Sequence, residues 1–199
     1  MSGPRLVLAS ASPRRLAVLR QLGLDASVSP ADVDEALLAA ERPEAHVERL
    51  ALEKATRVRS REPDALVLAG DTVVVRDGEV LGKPRDAAEA EAMLLSLAGR
   101  AHEVVSGLAL AWGEGTASGV ARADVRFRPF ELEAARAYVS TGEPMDKAGA
   151  YGIQGLGAAL VEEVAGDYYS IVGLPVALLV TLLGRAGWRY DFGRLRPAR

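Results

Sequence analysis

Several short segments carry residue types that could handle an anionic ligand. Ser10-Ala11-Ser12-Pro13-Arg14-Arg15 lies between an apolar run and a helical pattern, with Ser12 as an N-cap and Pro13 at the first helical position. Two arginines in a first turn oppose the helix dipole, and their placement makes sense if an anion shares the site. Backbone N–H groups at the helix start, the hydroxyls of Ser10 and Ser12 and the forks of Arg14 and Arg15 would then form a phosphate site. The competing reading is a capped helix with solvated arginines. The Gly-x4-Gly-Lys-Ser/Thr pattern of a P-loop is missing.

Gly70-Asp71-Thr72 closes a second apolar run, Ala65 to Ala69. An acid at the carboxyl end of a strand can bind Mg²⁺ or orient a water, although a plain Asp turn reads the same way. Lys83, in Gly82-Lys83-Pro84-Arg85, follows one short hairpin later and could return toward that strand end. A carboxylate, a metal and an ammonium together suit phosphoryl chemistry, where positioning and charge neutralisation do most of the work. Asp32, Asp34 and Glu35 offer hard oxygen ligands or a solvated acidic loop. Lys54 lies on the apolar side of a helical pattern and either points inward or snorkels.

Lysine is scarce: of 24 basic residues only Lys54, Lys83 and Lys147 are not arginine. A lysine kept in so arginine-rich a chain marks a place where a compact ammonium is wanted, or is chance. Asn is absent, and Gln occurs only as Gln21 and Gln154. The segment Asp146 to Gly157 is glycine-rich without the G-x-G-x-x-G spacing of a dinucleotide fold. Its glycines permit close backbone approach to a flat ligand. Tyr151 could stack on such a ligand, and Gln154 could read a base edge, or the segment is simply a glycine-rich turn. His46 and His102 share no motif with a nucleophile or metal ligand and read as structural.

The elements that must position these groups follow from the pattern. Strands are expected at Arg5 to Ala9, Asp25 to Ser29 and Ala65 to Ala69, the last ended by a Gly70-Asp71-Thr72 turn. Extended chain from Val73 to Val75 leads into an Asp77-Gly78 hairpin. Two long strands are expected at His102 to Trp112 and Val120 to Phe127, and a further one at Ala158 to Val164. Helices are expected over Arg14 to Leu22, Pro43 to Arg61, Asp86 to Leu97, Glu131 to Ser140 and Pro175 to Leu183. Ala31 to Glu41 reads as loop with a short helix, and the end of the chain as a short basic tail. Strands alternating with helices around one antiparallel region predict a mixed α/β sheet, in one domain over residues 1–199. A net charge of −3 argues against broad nucleic-acid binding. The chain has no cysteine, which removes thiolate chemistry and disulfides. No signal-peptide h-region or membrane-length apolar run is present, so a soluble, cytoplasmic protein is expected.

Four motifs in order now carry a resemblance: Leu8-Ala9-Ser10-Ala11-Ser12-Pro13-Arg14-Arg15, Gly70-Asp71-Thr72-Val73-Val74, Gly82-Lys83-Pro84-Arg85, and Asp146 to Gly155. Together they resemble the Maf family of nucleoside triphosphate pyrophosphatases, once described as septum-formation inhibitors. The resemblance runs from Leu6 to about Leu183 and leaves the tail at 188–199 uncovered. It implies a mixed, twisted sheet flanked by helices, related to the house-cleaning inosine triphosphatases, a ligand cleft between two lobes, and often a homodimer. It implies a divalent cation, Mg²⁺ or Mn²⁺, and Asp71 as proton acceptor. Ser10, Arg14, Arg15, Lys54 and Lys83 match phosphate-binding positions. Glu35 and Asp71 match acidic positions tied to metal or water. Arg14, Thr72 and Gln154 match positions tied to base choice. The Ala150-Tyr151-Gly152-Ile153-Gln154-Gly155 form resembles the branch acting on dTTP and UTP. The alternatives are the branch acting on 7-methyl-GTP and a nucleotide-sensing division regulator with little turnover.

Overall fold

A computed structural model describes residues 3–113 and 115–198. Met1, Ser2 and Arg199, which end the domain expected over 1–199, and Glu114, in the turn expected between the two long strands, lie outside the described residues. The elements, in order, are β1 (Leu6–Leu8), α1 (Pro13–Gln21), β2 (Ala26–Val28), α2 (Pro43–Arg59), β3 (Leu66–Arg76) and β4 (Glu79–Leu81). Then come α3 (Ala87–Leu97), β5 (Ala101–Trp112), β6 (Gly115–Phe127), α4 (Leu132–Val139) and β7 (Val161–Gly166). The chain closes with α5 (Tyr168–Val172), α6 (Val176–Arg185), β8 (Trp188–Tyr190) and β9 (Leu195–Pro197).

The main sheet has the order β2-β1-β3-β5-β6-β7, with β4 beside β3. β1 is parallel to both β2 and β3, whereas β4 and β7 are antiparallel to their neighbours. The sheet is therefore mixed, as the alternating pattern predicts. The chain divides into two compact units. The first comprises residues 1–71, 106–121 and 173–199; the second comprises 72–105 and 122–172.

Where α2 meets the sheet, the core of the first unit is built from small residues. Val7, Val67, Ala69, Ala109 and Ala111 on the strands, with Ala9 just past β1, meet Ala51, Ala55 and Val58 on α2. Such short side chains let a helix sit close on a sheet, and the contact is closest at Gly107. A Cβ there would stand 2.4 Å from the Val47 carbonyl oxygen. In the second unit Leu94, Leu97, Phe127 and Tyr151 are buried together. Phe127 meets the edges of both His102 and Tyr151, at centroid distances of 4.9 and 4.7 Å.

Five local expectations are corrected. Gly70-Asp71-Thr72 is no turn: β3 runs unbroken from Leu66 to Arg76. Gly70 serves space rather than curvature, because a Cβ would lie 2.8 Å from Leu108 Cδ2 and 3.1 Å from the Gly107 carbonyl. Residues 31–38 form no helix; Asp34 accepts from the Ala36 N–H instead, the local competition that keeps Asp out of helices. Residues Leu156–Leu160 form a 3₁₀ turn, so β7 begins at Val161. β6 begins at Gly115 rather than Val120, and the five-residue α5 is too short to show a period. The basic tail folds as an antiparallel β8–β9 hairpin, anchored where the Tyr190 hydroxyl donates to the Leu22 carbonyl at the end of α1. The Asp77-Gly78 hairpin forms as expected, with both residues at positive φ.

Among the described residues no helix is long and apolar enough to cross a membrane. His102 gives the second unit a pH-dependent core. Desolvation lowers its pKa to about 4, against about 6.5 in an unfolded chain. The unfolded state therefore binds the extra proton between these values, and stability is complete above about pH 6.5 and falls as pH drops toward 4. Denaturant titrations at pH 7 and pH 4 should differ by about 3 kcal/mol from this residue. His102→Gln should remove that part of the difference; an unchanged pH dependence would contradict it.

Candidate active site

Ser10 to Arg15 folds as the sequence predicts and is locked from within. α1 starts at Pro13, and the Ser12 side chain accepts from the Arg15 N–H at 3.4 Å. The buried Ser10 hydroxyl oxygen accepts from the Ser12 N–H at 3.2 Å and from Arg15 Nη1 at 2.9 Å. Arg15 Nε donates to the Gly173 carbonyl at 2.8 Å. The guanidinium also lies against Gly70, whose Cβ would stand 3.4 Å from Nε. Burial pushes the Arg15 pKa down; Asp71 and Glu35 work against that fall, while Arg14 adds to it. Arg14 is half-buried in the same first turn, which carries no acidic residue.

Lys54 answers the question its position poses. It lies on the inner face of α2 with Val47, Leu50, Ala51, Ala55 and Val58 and is 5% exposed. Its Nζ donates to Asp71 Oδ1 at 2.7 Å and meets Glu35 Oε1 at 2.5 Å. Asp71 is positioned by β3, three residues beyond Leu68, the last residue paired with β1. Glu35 comes from the irregular segment between β2 and α2 and is 54% exposed at its side chain. Two carboxylates on separate elements thus converge on one ammonium. Asp32 and Asp34 do not join the ion pair: Asp34 caps Ala36, and both line a surface hollow with Leu52, Glu53, Thr56 and Arg57.

The remaining candidates belong to the second unit. Thr72 follows Asp71 in β3 and is half-buried. Lys83 is exposed in the segment after β4. Gln154 is exposed in the glycine-rich loop. That loop is fastened to the lysine segment by the Gly149 N–H, which donates to the Gly82 carbonyl at 3.0 Å. Tyr151 is corrected: it is buried, its hydroxyl shares a 2.9 Å bond with His102 Nε2, and its ring packs on Phe127, so no face is left to stack on a ligand. Lys147 braces the loop, its Nζ reaching the Glu143 carbonyl and Asp146 Oδ1, each at 2.5 Å. Glu143 completes the brace by accepting from the N–H groups of Leu156 and Gly157 and from the Tyr138 hydroxyl. Burial alone would raise the Glu143 pKa, but these donors hold it below the ordinary carboxylate range.

The donor set bears on a divalent cation. No group of three or more His, Cys, Asp or Glu side chains among the described residues could hold a metal as an all-protein cage. Asp71 and Glu35 supply two hard oxygens that meet at one positive charge. That set fits Mg²⁺ or Mn²⁺, which bind through one or two carboxylates together with water and substrate phosphates.

Sequence reasoning missed Gly107, Gly173, Glu41 and Arg49. A lone glycine inside a strand pattern signals close backbone approach, so Gly107 was findable. A backbone carbonyl such as that of Gly173 leaves no side-chain trace.

The fold and this arrangement define a mixed α/β protein that gathers cations around a pair of carboxylates at the end of a parallel strand pair. A family model for Maf-like proteins matches residues 5–186, and the chain belongs to that family. It is 52% identical over 184 residues to a dTTP/UTP pyrophosphatase of Symbiobacterium thermophilum, covering 92% of this chain and 95% of the relative. It is 53% identical over 188 residues to a dTTP/UTP pyrophosphatase of Myxococcus xanthus, with 92% and 95% covered. The Staphylococcus aureus Ham1 protein overlaps more loosely, at 16% identity and a TM-score of 0.45 over 62% of this chain and 71% of that one, a likeness too slight to bear on the site.

Because Lys54 rides on α2, its reach to Asp71 depends on the contact at Gly107. Gly107→Ala must push α2 outward and should cost about 1–3 kcal/mol of stability. It should also lower kcat/KM at least tenfold, since about 1 Å of misplacement is enough to weaken a reaction centre. Denaturation and kinetics on the purified variant check both; a variant equal to the parent would contradict the positioning role of this contact.

Proposed function

We propose that this chain hydrolyses dTTP and UTP, and modified pyrimidine counterparts in the cytoplasmic pool, to the nucleoside monophosphate and diphosphate. The observation that carries the reading is Lys54 held between Asp71 and Glu35 beside the arginine-bearing start of α1. The relatives named above support the substrate class. Asp71 accepts a proton from a water as that water's oxygen bonds to the α-phosphorus. The bond from the α-phosphorus to the bridging oxygen breaks, and diphosphate leaves with the electron pair. Lys54 fixes the orientation of the Asp71 carboxylate. Arg14, Arg15 and Lys83 hold the phosphate chain, with Ser10 ordering the turn that presents the arginines. A divalent cation bound through Glu35 and Asp71 would supply charge neutralisation on the phosphates.

Base choice falls to Arg14, Thr72 and above all Gln154. A Gln side-chain amide pairs one donor and one acceptor, matching the O4 and N3–H edge of uracil or thymine. A purine would have to displace that pairing.

Incubation with Mg²⁺ or Mn²⁺ and a panel of dTTP, UTP, CTP, ATP, GTP and 7-methyl-GTP, with products read by ³¹P NMR, tests the proposal. The expected products are dTMP and UMP with diphosphate. Asp71→Asn should lose about 10²- to 10⁴-fold in kcat, the usual contribution of a positioned base. Release of orthophosphate, a preference for 7-methyl-GTP, or full activity in Asp71→Asn would overturn it.

A further inference from the structure

Glu35 presents a physical problem. It extends from a segment, residues 31–38, without regular secondary structure, and half its side chain faces solvent. Ordering such a segment costs roughly 1–2 kcal/mol per residue in backbone entropy, and something must offset that if Glu35 is to stay on Lys54. The hydrogen bonds around it show what does. Glu41 faces Arg49 across two bonds, Nε to Oε1 at 2.6 Å and Nη2 to Oε2 at 2.8 Å. The Glu41 side chain is 9% exposed, and its Oε2 also accepts from the Leu38 N–H at 3.1 Å and meets His46 Nδ1 at 3.0 Å. Arg49 Nη2 then reaches past this pair and donates to the Ala36 carbonyl at 3.1 Å.

Ala36 is the residue after Glu35. Its N–H is held by Asp34 Oδ1 at 3.0 Å and its carbonyl by Arg49, so the chain beside Glu35 is fixed from both sides. Arg49 and Lys54 lie five residues apart on α2. One rigid helix therefore carries the ammonium that Glu35 meets and the guanidinium that fixes the backbone beside it.

We infer that Arg49 and Glu41 are positioning residues for Glu35, a clamp that sets the carboxylate against Lys54 and Asp71 without touching substrate. An isolated surface ion pair would contribute little. This pair is bidentate, its carboxylate is largely out of water, and losing one partner strands the other. Of the hydrogen bonds of Arg49 and Glu41, those to the Ala36 carbonyl and from the Leu38 N–H reach into the loop, while the contacts with His46 anchor the pair on α2. The Arg49 hydrogen bond from Nη1 to Glu53 Oε1 at 3.3 Å keeps the guanidinium oriented on the helix. The inference rests on the role given to Glu35 under the proposed function.

The test compares Arg49→Met, Glu41→Gln and Glu35→Gln, singly and in pairs with Glu35→Gln, each checked for a parent-like melting transition. Hydrogen exchange in the intact protein should quicken at the Ala36 and Leu38 amides by about tenfold or more in Arg49→Met, with α2 and β3 unchanged. Turnover of dTTP should fall about 10- to 100-fold in Arg49→Met, the scale of a misplaced group, and less in Glu41→Gln. In the Glu35→Gln background Arg49→Met should cost less than about twofold, because the group it positions is already gone. Multiplication of the Arg49→Met effect onto an impaired Glu35→Gln enzyme, or unchanged exchange at Ala36 and Leu38, overturns the inference alone. A Glu35→Gln enzyme with parental turnover strikes at the role given to Glu35 and overturns the inference with it.

Discussion

Taking an ammonium out of water costs several kcal/mol unless anions meet it, and Lys54 is almost wholly out of water. Asp71 at 2.7 Å and Glu35 at 2.5 Å meet that demand. Each must come from a place that the fold can hold. Asp71 comes from a strand buried between neighbours; Glu35 comes from a segment with no ladder of its own. The ammonium rides on a helix that reaches the sheet only because Gly107, Ala51 and Ala55 leave no bulk in the way. Removing Lys54 would leave two carboxylates facing one another, and removing either carboxylate would leave the ammonium under-compensated.

The same logic explains Arg15, whose charge is tolerated in a half-buried position because Asp71 and Glu35 stand nearby and its donors are used by Ser10 and the Gly173 carbonyl. These acids offset part of the cost of burying Arg15 at the start of α1. The second unit handles its loop differently, with three neutral donors gathered on the Glu143 carboxylate rather than an ammonium shared between acids. Lys147, which shares a motif with Gln154 in sequence, belongs to that brace.

Much of this was legible in the sequence where local chemistry decides the structure. The Ser12 cap and the Asp77-Gly78 turn each follow from side-chain or φ requirements within a few residues. The inward aim of Lys54 was one of two open readings, and burial against both acids decides between them. Where partners are distant the sequence was silent or misleading. Gly70 reads as a turn residue, yet its neighbours Leu108 and Gly107 come from another strand. Tyr151 reads as a ligand-facing aromatic, yet His102 and Phe127 enclose it. The helix expected within residues 31–41 yields to hydrogen bonds accepted by Asp34 and Glu41 and donated by Arg49, which no period in the chain announces.

Lys54 and Asp71 act as one unit, the ammonium working through the carboxylate it holds. A kinetic double-mutant cycle on dTTP hydrolysis with Lys54→Met, Asp71→Asn and the double variant measures this directly. The double variant should be no slower than Asp71→Asn alone. Losses that multiply, so that the double variant falls by the product of the two single effects, would contradict it.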